Sequence, residues 1–242
     1  MVLAGAAAGI ALGAVGGGGS VLLIPLLVLG FGLDAHAATG TALAVVLTTA
    51  LLGAVIHTRN GRVRYREAAL FSVPGIAASA LLSPLNSHLP EALILGVVAA
   101  LMLIVALRMW RPIKPHQARR PALVVIVAGA AVGALTGLFG VGGGFVVVPA
   151  LVLVLGFPMH AAVGTSLVVI AANASAALGG YWLRGDIDLG LALVLAVGAA
   201  LGVTSGATLA RLAGEQRLQQ SFALLLVVMA IYLSVREAVT LA

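Results

Sequence analysis

Charged side chains are scarce in this chain and cysteine is absent: only 8% of the 242 residues are charged. A soluble domain carries about 25% charged residues, so an ordinary soluble fold is excluded. Without cysteine the chain has no disulfide, no thiolate nucleophile and no thiolate metal ligand. The sequence also lacks HExxH, GxSxG and a Walker lysine after its glycines. We therefore expect neither an enzyme nor a bound cofactor or metal.

Apolar residues dominate what is present, at 62% of the chain with a mean hydropathy of +1.20. Several apolar runs reach about 20 residues, the length of a membrane-spanning helix. The composition predicts an all-α, multi-pass protein of the cytoplasmic (inner) membrane, with the lipid bilayer as its main partner and a homo-oligomer as a further candidate. No basic leader precedes the first apolar segment, so we expect that segment to be retained.

The net charge of +6 comes from two short basic stretches, Arg59 to Arg66 and Arg108 to Arg120. A basic protein of this kind could bind nucleic acid. Basic residues confined to short loops between apolar segments are instead typical of cytoplasmic loops under the positive-inside rule. We expect no nucleic-acid partner.

The chain consists of two similar sequence repeats, which align without a gap at an offset of 124 residues. The glycine tract AVGGGGSVLLIP, which contains Gly16 to Gly19, recurs as LFGVGGGFVVVP around Gly140 to Gly144. The predicted organisation is repeat 1 over 1–110, a basic cytoplasmic linker over 111–121, and repeat 2 over 122–242. Each repeat contains about four apolar segments, and glycines break the first of them.

The broken segment of repeat 1 has two arms of about 13 residues, or about 20 Å of helix each. One arm is too short for a bilayer core of about 30 Å, and two arms in line are too long. A re-entrant hairpin fits better, although 122–138 is long enough to cross alone. Loop 57–66 is strongly basic, whereas the equivalent 181–190 carries Arg184 against Asp186 and Asp188. Opposite charge in equivalent loops favours inverted repeats.

A helix broken inside the membrane exposes backbone N–H groups, and the N-terminus of its second half favours an anion. Glycine allows a ligand to approach this backbone closely. The two tracts therefore predict two anion cradles near the membrane midplane, although glycines at four-residue spacing also pack helices. Hydroxyl groups, including that of Thr39, flank the breaks, but a helical hydroxyl commonly bonds to its own helix. The candidate substrate-binding residues are Gly17, Gly18, Gly19, Ser20, Thr41, Gly142, Gly143, Gly144, Thr165, Ser166 and Asn173.

Histidines occupy equivalent positions just after each broken segment, His36 in DAHAATGT and His160 in PMHAAVGT. Each could couple transport to protons or gate the site, or it could simply begin a helix. A third histidine, His57, is predicted to lie at the membrane interface beside the basic loop. Asp34 is predicted to cap the helix that begins near 36, Asn60–Gly61 is predicted to form a turn after it, and the third helix is predicted over about 67–86.

The two glycine–proline motifs and the HTRNGRV and YWLRGDIDLGLAL segments resemble the TauE/SafE family of sulfite exporters, and the resemblance covers nearly the whole chain. It implies transport of a small sulfur oxyanion or organosulfonate, such as sulfite, by alternating access, with a proton or sodium ion as a candidate coupling ion. The residues leave open an anion channel, a transporter of another small anion such as a carboxylate, and a membrane subunit that assists sulfur-metabolising enzymes. Because Thr49 stands where repeat 2 has Asn173, any substrate site is asymmetric.

Overall fold

A computed structural model describes residues 2–17, 23, 26–111, 120–139, 144–185 and 187–241, and these residues contain helices and no strand. In the first half of the chain, α1 is followed by a π-helical turn and three long helices. Their bounds are α1 Val2–Val15, the π-helical turn Leu26–Gly30, α2 Ala35–Arg59, α3 Tyr65–Leu82 and α4 Glu91–Trp110.

The second half repeats this order. Its helices are α5 Ala122–Phe139, the short α6 Gly144–Pro149 continued by a π-helical turn Ala150–Val154, α7 Met159–Arg184, α8 Leu189–Leu212 and α9 Glu215–Leu241. Among the described residues, seven helices are long and apolar enough to cross a membrane: α2, α3, α4, α5, α7, α8 and α9. The helical multi-pass fold predicted from the sequence is confirmed.

One predicted helix needs correction. The third segment was predicted to be helical over 67–86, but α3 ends at Leu82 and the chain continues as a 3-10 helix, Ser83–His88. Pro84 lies in the first turn of the 3-10 helix, where its missing N–H is tolerated. Asn86, from this 3-10 helix, donates a hydrogen bond of 2.6 Å to the carbonyl of Leu138 in the last turn of α5. The irregular turn thus supplies a donor to the end of a helix in the other half.

Helix α1 packs against α8 of the other half through glycines on both helices. A Cβ added to Gly5, Gly9 or Gly13 would overlap the backbone of Leu195, Ala199 or Val203. The reverse also holds, because a Cβ on Gly198, Gly202 or Gly206 would overlap the carbonyl of Val2, Ala6 or Ile10. Without side chains between them the two backbones come into direct contact, as small-residue interfaces in membranes allow. Since the residue numbers rise together on both helices, α1 and α8 run in the same direction.

The equivalent contact in the other half joins α5 to α3. Gly129, Gly133 and Gly137 lie against the backbone of Phe71, Gly75 and Ser79, each pair being the repeat of one α1–α8 pair. In each half, the first helix therefore packs against a helix of the other half: α1 against α8, and α5 against α3. The reciprocal glycines are not kept, since Pro74, Ala78 and Leu82 of α3 stand where α8 has Gly198, Gly202 and Gly206.

Helices α2 and α7 are equivalent in the two repeats and pack against one another in opposite directions. A Cβ on Gly53 would lie 3.0 Å from Leu167, whereas the later His57 lies beside the earlier Gly164. The C-terminal helices α4 and α9 also pack together, and the buried Gln219 of α9 donates to the carbonyls of Met109 and Arg111 at the end of α4. The interior is therefore built largely from pairs of helices that cross between the two halves.

The start of α2 follows the sequence prediction. Asp34 Oδ1 accepts hydrogen bonds from the backbone N–H groups of His36 at 2.9 Å and Ala37 at 3.1 Å. This is the N-cap geometry, in which a carboxylate satisfies two helical donors that have no partner within the helix. The N–H of Ala37 is the main cause of a lowered pKa for the exposed Asp34 carboxyl. The predicted turn at Asn60–Gly61 is also present, with Gly61 at φ +66°.

Candidate substrate site at the helix breaks

The two glycine breaks meet inside the molecule. A Cβ added to Gly17, just beyond the end of α1, would overlap the carbonyl of Gly144, the first residue of α6. Only glycine at position 17 allows the two backbones to approach this closely. Since Gly144 begins α6, the N-terminal end of this helical segment is placed against the other break.

The end of α1 also reaches α7. Gly16 has φ +80°, a left-handed conformation that suits glycine at the end of a helix, and its N–H donates to the carbonyl of Leu12 at 2.9 Å. A Cβ at Gly16 would lie 2.6 Å from the hydroxyl of Ser166. Ser166 is fully buried and its hydroxyl donates to the carbonyl of Val163 at 2.8 Å. Its oxygen therefore faces the break while its hydrogen is used within α7.

Thr41 and Thr165 lie in the second turns of α2 and α7 and bond to loop residues. Both are fully buried, and each hydroxyl oxygen accepts a backbone N–H bond of 3.1 Å from the other half of the chain. The donor to Thr165 is Arg64, and the donor to Thr41 is Asp188, the residue equivalent to Arg64. These two hydroxyls anchor loops, a role the sequence did not show, and their proposed contact with substrate remains a prediction.

Asn173 lies in the middle of α7, and its Oδ1 atom is buried without a hydrogen-bond partner. Its equivalent, Thr49 of α2, is also buried, but the Thr49 hydroxyl donates to the carbonyl of Val45 within its own helix. The antiparallel register that sets Gly53 against Leu167 brings Thr49 to the level of Ala171, so the two polar residues lie near the crossing of α2 and α7. A buried amide oxygen without a partner is costly in a protein interior, which makes Asn173 the strongest side-chain candidate for a ligand contact.

The two equivalent histidines have different surroundings. His36 is exposed, and its backbone N–H donates to Asp34. His160 lies with its Nε2 atom 3.7 Å from Glu215 Oε1, while its Nδ1 atom is buried without a partner. Glu215 also accepts the backbone N–H of Met159 at the start of α7. Of the pair, only His160 is partly buried beside a carboxylate, and the gating or coupling role of both histidines stays a prediction.

The sequence did not predict the burial of His57, whose side chain is 1% exposed. Its Nε2 atom lies 3.4 Å from the carbonyl of Gly13, in the last turn of α1 before the break. His57 is therefore packed within the protein, where the sequence predicted an interfacial side chain. The only signal in the sequence was its place at the end of a helix beside HTRNGR, a pattern that basic loops share.

The remaining candidates, Gly18, Gly19, Ser20, Gly142 and Gly143, lie outside the described residues. Of the predicted substrate-binding residues that are described, the fold brings Gly17, Gly144 and Ser166 to one place through the neighbouring Gly16. Asn173 lies further along α7 than Ser166, toward its C-terminal end, and the two threonines bond to loop residues. Contact of any of these candidates with substrate stays a prediction.

Long apolar helices that pack through glycines, with two broken segments in contact, are the architecture of a multi-pass membrane transporter. The chain belongs to the sulfite exporter TauE/SafE family, whose model matches residues 1–233. It is 32% identical over 238 residues to a "Probable membrane transporter protein" of Xylella fastidiosa (strain 9a5c), covering 94% of this chain and 91% of that protein. It is 29% identical over 207 residues to "Probable membrane transporter protein YdhB" of Bacillus subtilis (strain 168), covering 82% and 84%. No solved structure matches the chain.

Proposed function

We propose that this transporter moves a small anion, sulfite or an organosulfonate, across the cytoplasmic membrane by alternating access. The observation that carries the proposal is the contact between Gly17 and Gly144, which joins the two broken segments. Backbone that leaves helical geometry inside a membrane is tolerated where it is buried in protein or lines a cavity. In secondary transporters such paired breaks hold the substrate near the membrane midplane.

The directions of the helices support inverted repeats. The equivalent helices α2 and α7 are antiparallel. Helix α1 runs parallel to α8, and α5 runs parallel to α3. Helix α2 also runs with α8, because Thr41 lies beside Asp188 and Gly53 lies beside Val203. Parallel α1 and α2 favour a re-entrant hairpin in the broken segment, around which one repeat would rock against the other.

An anion is the substrate that this architecture favours. The N-terminal end of the segment from Gly144 to Val154 is placed at the break, where backbone N–H groups and the helix dipole favour negative charge. The name of the family supports a sulfur oxyanion as the substrate. The names of the relatives support only transport across a membrane.

The experiment is uptake of radiolabelled sulfite into proteoliposomes, with competition by sulfate, thiosulfate, organosulfonates and carboxylates. We expect saturable flux that sulfonates inhibit and that counter-substrate on the far side accelerates. Replacing Gly17, Gly18 or Gly143 with leucine should abolish flux while the protein still inserts. Gly30→Ala is the control, because a Cβ there would meet only Leu26 at an ordinary 3.7 Å.

Each other outcome separates a competing function. Flux that neither saturates nor exchanges would identify an anion channel. Stronger inhibition by carboxylates than by organosulfonates would indicate that the substrate is a carboxylate. Normal flux in the Gly17 variant would overturn the break as the substrate site, and an absence of flux from the purified protein would favour a subunit that needs partner enzymes.

A further inference from the structure

A second polar cluster lies at one end of α7, where the loop after α2 packs against it. His57 at the end of α2, Arg62 in the loop and His160 at the start of α7 each have a buried nitrogen without a hydrogen-bond partner: Nδ1 of both histidines and Nη1 of Arg62. Unpaired buried polar atoms are uncommon in native proteins and each is costly. Three of them in adjoining residues indicate a missing ligand.

These three residues surround one turn of α7. A Cβ added to Gly164 would lie 3.0 Å from His57 Cβ and 2.9 Å from the carbonyl of Arg62, so both residues pack on this glycine. His160 is four residues earlier in α7 and therefore on the same face of the helix. Arg62 also donates its backbone N–H to the carbonyl of His57 at 3.0 Å.

The hydrogen positions follow from the partners of the other ring nitrogens. His57 Nε2 faces the carbonyl of Gly13, and His160 Nε2 faces the carboxylate of Glu215, so each Nε2 carries the hydrogen. Each buried Nδ1 is then a lone pair that can take a proton. Arg62 Nη1 is a donor that lacks an acceptor. The cluster therefore needs an acceptor for the guanidinium and a proton for an imidazole.

We propose that His57, Arg62 and His160 form a second binding site, which takes up an oxyanion together with one proton. The Arg62 guanidinium binds the anion oxygens, and the proton sits between an anion oxygen and an imidazole Nδ1. A protonated oxyanion binding a neutral ring gives the same complex as an anion binding an imidazolium. Glu215, on α9, is the negative group beside His160 that balances the charge of the protonated site.

The site exists in one half only. The sequence positions equivalent to His57 and Arg62 are Tyr181 and Asp186, so repeat 2 has neither of these partners at the equivalent positions. His57 also links the cluster to the break, because Gly13 lies three residues before Gly16 on α1. An anion entering from this end would meet a proton-dependent site before it reaches the glycine tracts. The inference rests on the proposed function only for the class of ligand.

The test is calorimetric titration of the purified protein in nanodiscs with sulfate and with methanesulfonate, whose charges are constant near neutral pH. Titrations in two buffers of different ionisation heat measure proton uptake directly. We expect about one proton taken up per anion above the histidine pKa, and an affinity that falls about tenfold for each unit of rising pH. Binding without proton uptake, or no binding of either anion, would overturn the proposal.

Variants assign the groups. Arg62→Gln should weaken binding at least about tenfold, the scale of one charge-assisted hydrogen bond. The exposed Arg59, in the same basic stretch, provides the matched control Arg59→Gln, which should change nothing. His57→Gln or His160→Gln should remove proton uptake, whereas His88→Gln, at an exposed histidine outside both sites, should retain it. Unchanged binding and proton uptake in Arg62→Gln would also contradict the site.

Failure here and failure of the proposed transport are distinguishable. Proton-linked binding without flux in proteoliposomes would leave this site standing and remove the transport proposal. Saturable flux with no proton uptake on binding would support the transport proposal and overturn the second site. Because the wild-type titration needs no substitution, a variant that fails to fold does not affect the result.

Discussion

Thr165 Oγ1 accepts the backbone N–H of Arg64 at 3.1 Å, and the same bond, moved by one repeat, joins Thr41 to Asp188. Each bond runs between the two halves of the chain. Side-chain chemistry differs completely at the donor, where arginine in one half corresponds to aspartate in the other. The hydrogen bond is present in both halves because its donor is a backbone N–H group. The side-chain charge of the donor residue can therefore differ between the two loops.

We expect Thr165→Val to destabilise the fold by about 1–3 kcal/mol, the cost of leaving a buried N–H without an acceptor. Valine keeps the shape of threonine, so packing is preserved. The measurement is the midpoint of thermal unfolding in detergent. Thr165→Ser should restore most of the loss. The control is Thr208→Val, because the exposed Thr208 hydroxyl bonds only to Thr204 of its own helix; an equal loss there would refute the loop anchor.

Gly9→Ala should destabilise the α1–α8 pair, because the added Cβ would overlap the backbone of Ala199. Overpacking of this kind costs about 1–3 kcal/mol, and the helices must separate to relieve it. The measurement is again thermal unfolding, together with the yield of monodisperse protein. Gly96→Ala in α4 is the matched control, since a Cβ there meets nothing within 4 Å. Alanine is the better helix former, so this control should be neutral or slightly stabilising.

The Asp34 cap predicts a dependence of stability on acid pH. The backbone N–H of Ala37 lowers the pKa of this carboxyl in the folded state, so its contribution is present above the unfolded pKa and is lost as pH falls through the folded pKa. Unfolding midpoints measured between about pH 6 and about pH 3 should therefore fall less in Asp34→Asn, which caps without titrating, than in the wild type. Parallel curves for the two proteins would contradict this.

The sequence predicted local features where a residue type has one strong physical requirement. Asp34 before an apolar helix, Asn60–Gly61 between two helices, and glycines inside an apolar segment each gave the correct local structure. A gap-free repeat also predicted that equivalent segments would share one local structure. Such signals depend only on neighbouring residues.

The pairing of helices was beyond the sequence. Glycines at Gly5, Gly9 and Gly13 predicted close packing but named no partner, since ladders at the same spacing recur in α5 and α8. The burial of His57 was missed for a similar reason: a histidine next to arginines is typical of an exposed loop, and the approach of Gly13 and Gly164 buries it. Tertiary contacts decide both cases, and no local pattern reports them.

Asn173 gives the sharpest separation of stability from function. Its buried Oδ1 has no partner, so the amide costs free energy that an apolar residue would not. We expect Asn173→Leu to be neutral or stabilising in thermal unfolding while it lowers sulfite flux at least about tenfold, the loss of one hydrogen bond of about 1.4 kcal/mol or more. Stabilisation with loss of transport is typical of a polar group kept for its ligand.

The matched control for this prediction is Thr49→Val, at the equivalent position of α2. The Thr49 hydroxyl already donates to Val45 within its own helix, so its removal should leave flux unchanged. A second variant, Asn173→Gln, keeps the amide but moves it by one methylene and should give partial flux with a raised KM. If Asn173→Leu transports normally, or if it loses stability and flux together, the amide is a structural group and the ligand contact must be sought at the glycine breaks alone.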